Sequence, residues 1–239
     1  MNNKIPVLEI FGPTVQGEGM AIGQKTMFIR TAGCDYSCSW CDSSFTWDGS
    51  EKENIKWMTA DEVWNSLVEL GGDTFSHITI SGGNPALLPS LGPVVDFLKE
   101  KEMTLALETQ GSKWQTWLPS IDEVTLSPKP PSSGMETDFD ILGNIIQNLA
   151  HHPKTCLKVV IFDEKDFAYA ETVHQKFPHI PFFLQVGNSW LSADDESLLQ
   201  YMLKRYEWLI DETMKSKVFK NVKVLPQLHA FVWGNKRGV

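Results

Sequence analysis

Residues 26–42 read TMFIRTAGCDYSCSWCD. The opening TMFIR, 26–30, has the apolar and β-branched character of a strand. It runs into three cysteines, Cys34, Cys38 and Cys41, spaced C-x3-C-x2-C with Trp40 just before the last. Three thiolates so close in sequence can hold one small group built on a soft metal. Three is also one short of the four ligands that close a tetrahedral ion or a cubane cluster. The open position is where chemistry is expected.

Outward from this stretch, strand-like and helix-like segments alternate, the pattern of an α/β fold with a mostly parallel sheet. Further strands are expected at 77–81 (HITIS), 104–108 (TLALE), 123–127 (EVTLS), 157–162 (LKVVIF), 182–186 (FFLQV) and 221–229 (NVKVLPQLH). A helix from Thr59 to Leu70 opens with a capping box, Thr59-x-x-Glu62, and stops at Gly71-Gly72. A second starts at Pro89 and puts Leu91, Val94, Val95 and Leu98 on one face. Helices are also expected over 138–150, 164–176 and 193–215, the last with Ser192 as its cap. Polar or glycine-rich residues follow five strands: the cysteine loop, Gly82-Gly83-Asn84-Pro85, Thr109-Gln110-Gly111, Ser127-Pro128-Lys129 and Gln185-Val186-Gly187-Asn188. Ligands of parallel α/β folds bind beyond the carboxyl ends of the strands, so these loops mark the expected site. A single domain is expected over 1–239, with PKPPSSG at 128–134 a loop and not a linker.

The 239 residues are 42% hydrophobic and 21% charged, ordinary for a soluble globular protein. A formal charge of −9 argues against a long interface with nucleic-acid phosphates. No segment approaches the ~18 consecutive apolar residues of a membrane span. The segment MNNKIPVLEIFG lacks the basic start and apolar run of a signal peptide, so a cytoplasmic location is expected. Thiols stay reduced there, and clustered cysteines then point to metal binding, not to disulfides. Cys156, in the apolar run CLKVVIF, reads as a buried small hydrophobe.

Two metal readings follow. A structural zinc needs a fourth Cys or His, for which only distant Cys156 or His77 offers itself. The favoured reading is an iron–sulfur cluster with one iron free of protein ligands. That iron can take the amino and carboxylate groups of S-adenosylmethionine, and an electron from the cluster can cleave the sulfonium to a 5′-deoxyadenosyl radical. The chemistry belongs to the cofactor, and the protein supplies placement.

The cysteine loop, with its preceding strand and its aromatic residue, resembles the radical SAM superfamily. Ser81-Gly82-Gly83-Asn84-Pro85 is similar to the superfamily's GGEP motif, with Asn84 where Glu is frequent. Over nearly the whole chain, EIFGPTVQGEG (9–19), FIRTAGCDYSCSWCD (28–42), LETQGS (107–112), SPKPP (127–131) and LKVVI (157–161) resemble the 7-carboxy-7-deazaguanine synthase family, QGEG being the most specific piece. The resemblance implies an incomplete (β/α)6-type, TIM-like barrel. It also implies a 4Fe-4S cluster on Cys34, Cys38 and Cys41, S-adenosylmethionine, Mg2+, an outside electron donor such as a flavodoxin, and a homodimer.

The implied substrate is 6-carboxy-5,6,7,8-tetrahydropterin, which would lose C6 hydrogen, contract its ring and eliminate ammonia. By the same resemblance, the backbone of Val15, Gln16 and Gly17 and the carboxylate of Glu18 contact the pterin. Such an acceptor suits a guanidine-like edge with adjacent N–H donors. Arg30 grips the substrate carboxylate, a bidentate task that lysine performs poorly. Ser81 adds a hydroxyl. Ser43 ligates Mg2+, with Asp42 as the alternative ligand. Trp40, Asp42, Gly83, Thr109, Ser127, Pro128, Lys129 and Gln185 surround the adenosylmethionine.

Glu108 at a strand end reads either as a general base or as a cap for backbone donors. His151-His152 reads as surface. Gln227-x-His229 is similar to the family's closing segment, whose end reaches the substrate, but FVWGNKRGV follows here and that contact is not carried over. Two rivals stay open: an activase that forms a glycyl radical on a partner enzyme, and a zinc-stabilised binding module without catalysis.

Overall fold

Parallel strands covered on both faces need apolar side chains on both faces, and this sequence supplies them. The computed structural model describes residues 4–191 and 195–239. Nine strands form one sheet: β1 (Ile5–Val15), β2 (Lys25–Thr31), β3 (Lys56–Met58), β4 (His77–Gly82), β5 (Thr104–Thr109), β6 (Glu123–Leu126), β7 (Thr155–Ile161), β8 (Phe182–Val186) and β9 (Lys223–Leu225). Their order is β3-β1-β2-β4-β5-β6-β7-β8-β9. From β2 onward each neighbour pairs in parallel. β1 runs antiparallel to β2 and to β3. The outermost strands β3 and β9 do not meet, so the sheet stays open. Six parallel strands, β2 and β4 to β8, with the short β9 appended, make the incomplete barrel that the resemblance implies.

The helices are α1 (Ala60–Gly71), α2 (Gly92–Glu100), α3 (Phe139–Asn148), α4 (Glu164–Lys176), α5 (Asp195–Lys215) and α6 (Leu228–Trp233). α1 has the expected capping box: Thr59 N donates to Glu62 at 2.7 Å and Glu62 N donates to the Thr59 hydroxyl at 3.3 Å. Pro89–Leu91 is a 3-10 turn that leads directly into α2, and Leu91, Val94, Val95 and Leu98 are all fully buried. α3 and α4 are capped by the Asp138 and Asp163 side chains. The expected cap Ser192 and the start of the last helix at 193–194 lie outside the described residues. β7 and β8 are buried at every position, which is why they read as unbroken apolar runs. Among the described residues no helix is long and apolar enough to cross a membrane.

Three differences from the sequence reading have physical causes. The expected strand 221–229 is strand only at Lys223–Leu225, and Leu228–Trp233 is helix. Pro226 cannot donate to a ladder, and the chain then turns so that Leu228 N donates to Gly17 O at 2.9 Å. β1 is absent from the expectation because Gly12-Pro13 interrupts its alternation; the register against β2 shifts between Phe11 and Thr14. β3, also absent, is three residues long and largely exposed, too short to show a period.

Candidate active site

A cavity of about 350 Å³ opens at the carboxyl ends of the parallel strands and is lined by Cys34, Cys38 and Cys41 together with Glu18 and Arg30. The loop after β2 carries the cysteines and is held from two sides. On one side Ser39 N donates to Ser133 O at 3.0 Å and the Trp40 indole N–H to Ser132 Oγ at 2.9 Å. Ser132 is itself fixed by the buried Asp166 of α4 through its N–H and hydroxyl. On the other side the loop after β4 packs against its base. Gly82 sits at φ +136°, and a Cβ there would lie 2.1 Å from Thr31 O. A Cβ on Gly83 would lie 2.2 Å from Gly33 O and 2.8 Å from Cys34 Cβ. Gly83→Ala is therefore expected to push the cysteine loop outward and lower iron bound per chain several-fold, checked by iron and sulfide analysis after anaerobic reconstitution.

The sulfurs are provided with N–H donors. Gln110 Nε2 donates to Cys34 Sγ at 3.1 Å, Tyr36 N to the same atom at 3.4 Å, and the Trp47 indole to Cys41 Sγ at 3.4 Å. Burial pushes the Cys34 thiol up to about 11 and raises Cys38 as well, so an incoming iron must displace their protons. Four sulfurs around a single zinc stand about 3.8 Å apart, given Zn–S bonds of about 2.3 Å. Among the described residues, the trio whose ligand atoms all lie within 4.8 Å of one another is Glu18, Asp42 and His229, and the three cysteines do not form such a trio. Cys156 is fully buried in β7 against Thr125, and His77 sits at the opposite end of β4, bonded to Thr26. The three sulfurs are thus not gathered as closely as a single zinc requires, and neither Cys156 nor His77 stands beside them as a fourth ligand. Three buried polar atoms of cavity residues, Ser81 Oγ, Gln110 Oε1 and Gln227 Oε1, have no partner among the described residues, as expected of groups awaiting a ligand.

The floor of the cavity is an ion network. Lys158, on β7, is 1% exposed. Its ammonium lies 2.7 Å from Glu18 Oε2 and 2.6 Å from Glu108 Oε1. Gln227 Nε2 donates to Glu18 Oε1 at 2.9 Å, and His229 Nε2 stands 3.9 Å from that oxygen. Burial pushes the Glu18 carboxyl up, but the Lys158 and His229 charges outweigh it and hold the pKa well below the usual carboxylate range. For Lys158, burial acts downward and is overcome by Glu108 and Glu18, which raise it. Glu108 is thus an ion-pair partner of Lys158 and, among the described residues, caps no backbone donor. Gly17 lies against His229, where a Cβ would meet Nδ1 at 2.4 Å.

On the opposite wall Arg30 Nε donates to Glu9 Oε1 at 2.5 Å, and the guanidinium lies over Phe11 and Phe45 at 5.3 and 5.6 Å. Glu9 Oε2 accepts from Arg237 Nε at 2.8 Å. Arg237 also pairs with Glu51 and stacks on Phe45 at 3.7 Å. Residues 234–239, which follow α6, line the cavity mouth.

Of the residues proposed from sequence, Val15, Gln16, Gly17, Glu18, Arg30, Trp40, Asp42, Ser43, Ser81, Gly83, Thr109 and Lys129 line this one cavity. Ser43 donates to Asp42 Oδ1 at 2.7 Å, which puts two hard oxygen donors side by side on the wall. Ser127, Pro128 and Gln185 are buried outside the lining. Ser127 Oγ accepts from Lys129 Nζ at 3.1 Å, and Gln185 Oε1 accepts from Gly19 N at 3.3 Å, beneath the QGEG turn. The Trp40 ring packs on Phe162, 4.7 Å between centroids. Lys158, Gln110, Glu9 and Arg237 were not singled out from sequence. A lone lysine inside the apolar run LKVVIF was the one available signal, since a buried lysine demands a carboxylate.

An open parallel sheet with a three-cysteine loop after its first parallel strand defines a radical SAM enzyme, and the radical SAM superfamily profile matches residues 28–146. The chain is 62% identical over 238 residues to the 7-carboxy-7-deazaguanine synthase of Bacillus cereus, covering 99% of this chain and 100% of that one. It is 57% identical over 243 residues to the 7-carboxy-7-deazaguanine synthase of Bacillus subtilis, covering 100% of both. This chain belongs to the 7-carboxy-7-deazaguanine synthase family. The crystal structure of QueE from Escherichia coli shares its fold, with a TM-score of 0.70 at 21% identity over 95% of each chain.

Proposed function

We propose that the protein converts 6-carboxy-5,6,7,8-tetrahydropterin to 7-carboxy-7-deazaguanine and ammonia, a carbon–nitrogen lyase reaction of 7-deazapurine (queuosine) biosynthesis. One observation carries the reading: Glu18, Arg30 and the three cysteines line a single cavity of substrate size. When bound, the 4Fe-4S cluster and adenosylmethionine supply the radical that takes a hydrogen atom from the substrate. Cys34, Cys38 and Cys41 would hold the cluster, Gly83, Thr109 and Lys129 of the same cavity lining would contact adenosylmethionine, and Ser81 would add its hydroxyl to the pterin contacts. Glu18 stays ionised because Lys158 faces it, so it accepts from the N–H edge of the pterin. Arg30, aimed by Glu9, receives the substrate carboxylate at the other end. Asp42 and Ser43 present oxygens to Mg2+. An external electron donor of flavodoxin type and a homodimeric state complete the reading.

Anaerobically reconstituted protein, given the pterin, adenosylmethionine, reductant and Mg2+, is expected to yield the deazaguanine and ammonia. An intact cluster with neither product would overturn the assignment. An activase would instead need a surface for a protein loop. Arg30→Lys is expected to raise KM for the pterin about tenfold or more, because a point charge replaces a fork stacked on Phe11 and Phe45. The adenosylmethionine Kd should not change, and titration calorimetry separates the two.

A further inference from the structure

Asn84 follows the two glycines of the β4 loop and is fully buried. Its side chain uses every hydrogen-bonding valence it has. Nδ2 donates to Asp35 Oδ1 at 2.8 Å and to Ser112 Oγ at 3.0 Å. Oδ1 accepts from the Thr109 hydroxyl at 2.7 Å and from Ala86 N at 3.2 Å. Ser112 Oγ closes the ring by donating to Asp35 Oδ2 at 2.6 Å. The amide cannot be reversed, because Ala86 N can only donate and the Asp35 carboxylate can only accept. Asn84 N also donates to Gly33 O at 2.8 Å, next to Cys34. One neutral side chain therefore ties together the cysteine loop, the β4 loop and the loop after β5.

We propose that Asn84 is a positioning residue for the cluster loop: its amide and the Asp35 carboxylate form a matched donor–acceptor pair that can be exchanged but not duplicated. A carboxylate at position 84 would keep the contacts to Ala86 and Thr109 and turn its second oxygen on Asp35. The like charges would open the link beside Cys34 and loosen its Sγ. A neutral partner at 35 facing a carboxylate at 84 restores the donor and the acceptor with their roles reversed.

The experiment is a double-mutant cycle on the full chain. Asn84→Asp is expected to lower iron per chain at least threefold after identical anaerobic reconstitution. Adenosylmethionine binding by the remaining holoprotein should weaken about tenfold, the scale of a lost charge-assisted hydrogen bond. The reduced-cluster electron paramagnetic resonance signal should lose part of its shift on adding adenosylmethionine. Asn84→Asp combined with Asp35→Asn should bring all three readings to within about twofold of the parent, a rescue that simple loss of packing cannot produce. A single variant that behaves like the parent, or a pair no better than the single, overturns the proposal. If Asn84→Asp fails to fold, Asp35→Ala tests the same link, because the Asp35 side chain is exposed. In the metal-free chain its amide hydrogens over 34–42 should exchange faster while those of β7 do not change; unaltered exchange over 34–42 equally overturns the idea.

Discussion

Replacing Lys158 by methionine is expected to lower the unfolding free energy by about 3–5 kcal/mol at pH 7, the usual cost of removing one partner from a buried ion pair. The volume is nearly kept, so packing is not the cause. The cause is that Glu18 and Glu108 lose the ammonium 2.7 and 2.6 Å from their oxygens. Pterin affinity should fall with it, because an isolated Glu18 either takes up a proton or repels Glu108. The pH dependence gives an independent check. In the parent the Glu18 pKa is lowered on folding, so its contribution is present above the unfolded carboxyl value and is lost as pH falls. The Lys158 pKa is raised, so its contribution is present below the unfolded lysine value and is lost only as pH climbs through the folded one. Between those limits, from about pH 5 to 10, the network is fully formed. In Lys158→Met the sign at the acid end reverses. Desolvation, opposed then only by His229 at 3.9 Å, raises Glu18 above its unfolded value, and acidification from pH 7 to 5 should then narrow the stability gap. Urea unfolding across that range measures it, and a gap that widens on acidification would contradict the ion-pair account. Lys158→Met with Glu18→Gln and Glu108→Gln should recover most of the stability while pterin binding stays lost.

Cys38→Ser is expected to abolish turnover outright while leaving the metal-free chain folded. Cys38 is one of three sulfurs lining the cavity. A hard hydroxyl with a far higher pKa does not replace a thiolate on iron. The loop itself is held by Ser39, Trp40 and the Asn84 network and not by the sulfur, so although Cys38 is buried the thermal midpoint of the metal-free protein should fall by no more than about 4 °C, the scale of a ~1 kcal/mol change in a chain of this size. Iron analysis and the visible absorbance of the reconstituted sample supply the first reading, and circular dichroism melting the second. A variant with full cluster content would remove the premise of an iron free of protein ligands.

What could be read in advance was what local spacing controls. The cysteine triplet, the Thr59–Glu62 capping box and the α2 face of Val94, Val95 and Leu98 each depend on residues within about two turns of one another. The polar loops after β2, β4, β5, β6 and β8 fall at one edge because parallel strands put all their carboxyl ends on the same side. β1 is not legible in the sequence because its bulge breaks the period, and the last strand is shorter than its apolar run because Pro226 cannot donate to the ladder and the apolar residues beyond it belong to α6.

By itself, then, the order of residues determined that a strand would deliver three thiolates to a loop and that an α/β sheet would stand behind them. Tertiary structure alone decided what faces those thiolates. Lys158 meets Glu18 across 140 residues of chain, Gln227 meets it across 209, and Arg237 reaches Glu9 across 228. The reason is physical: a buried charge is stable only where opposite charges from other strands converge on it, and neither periodicity nor spacing along one strand records which strand that will be.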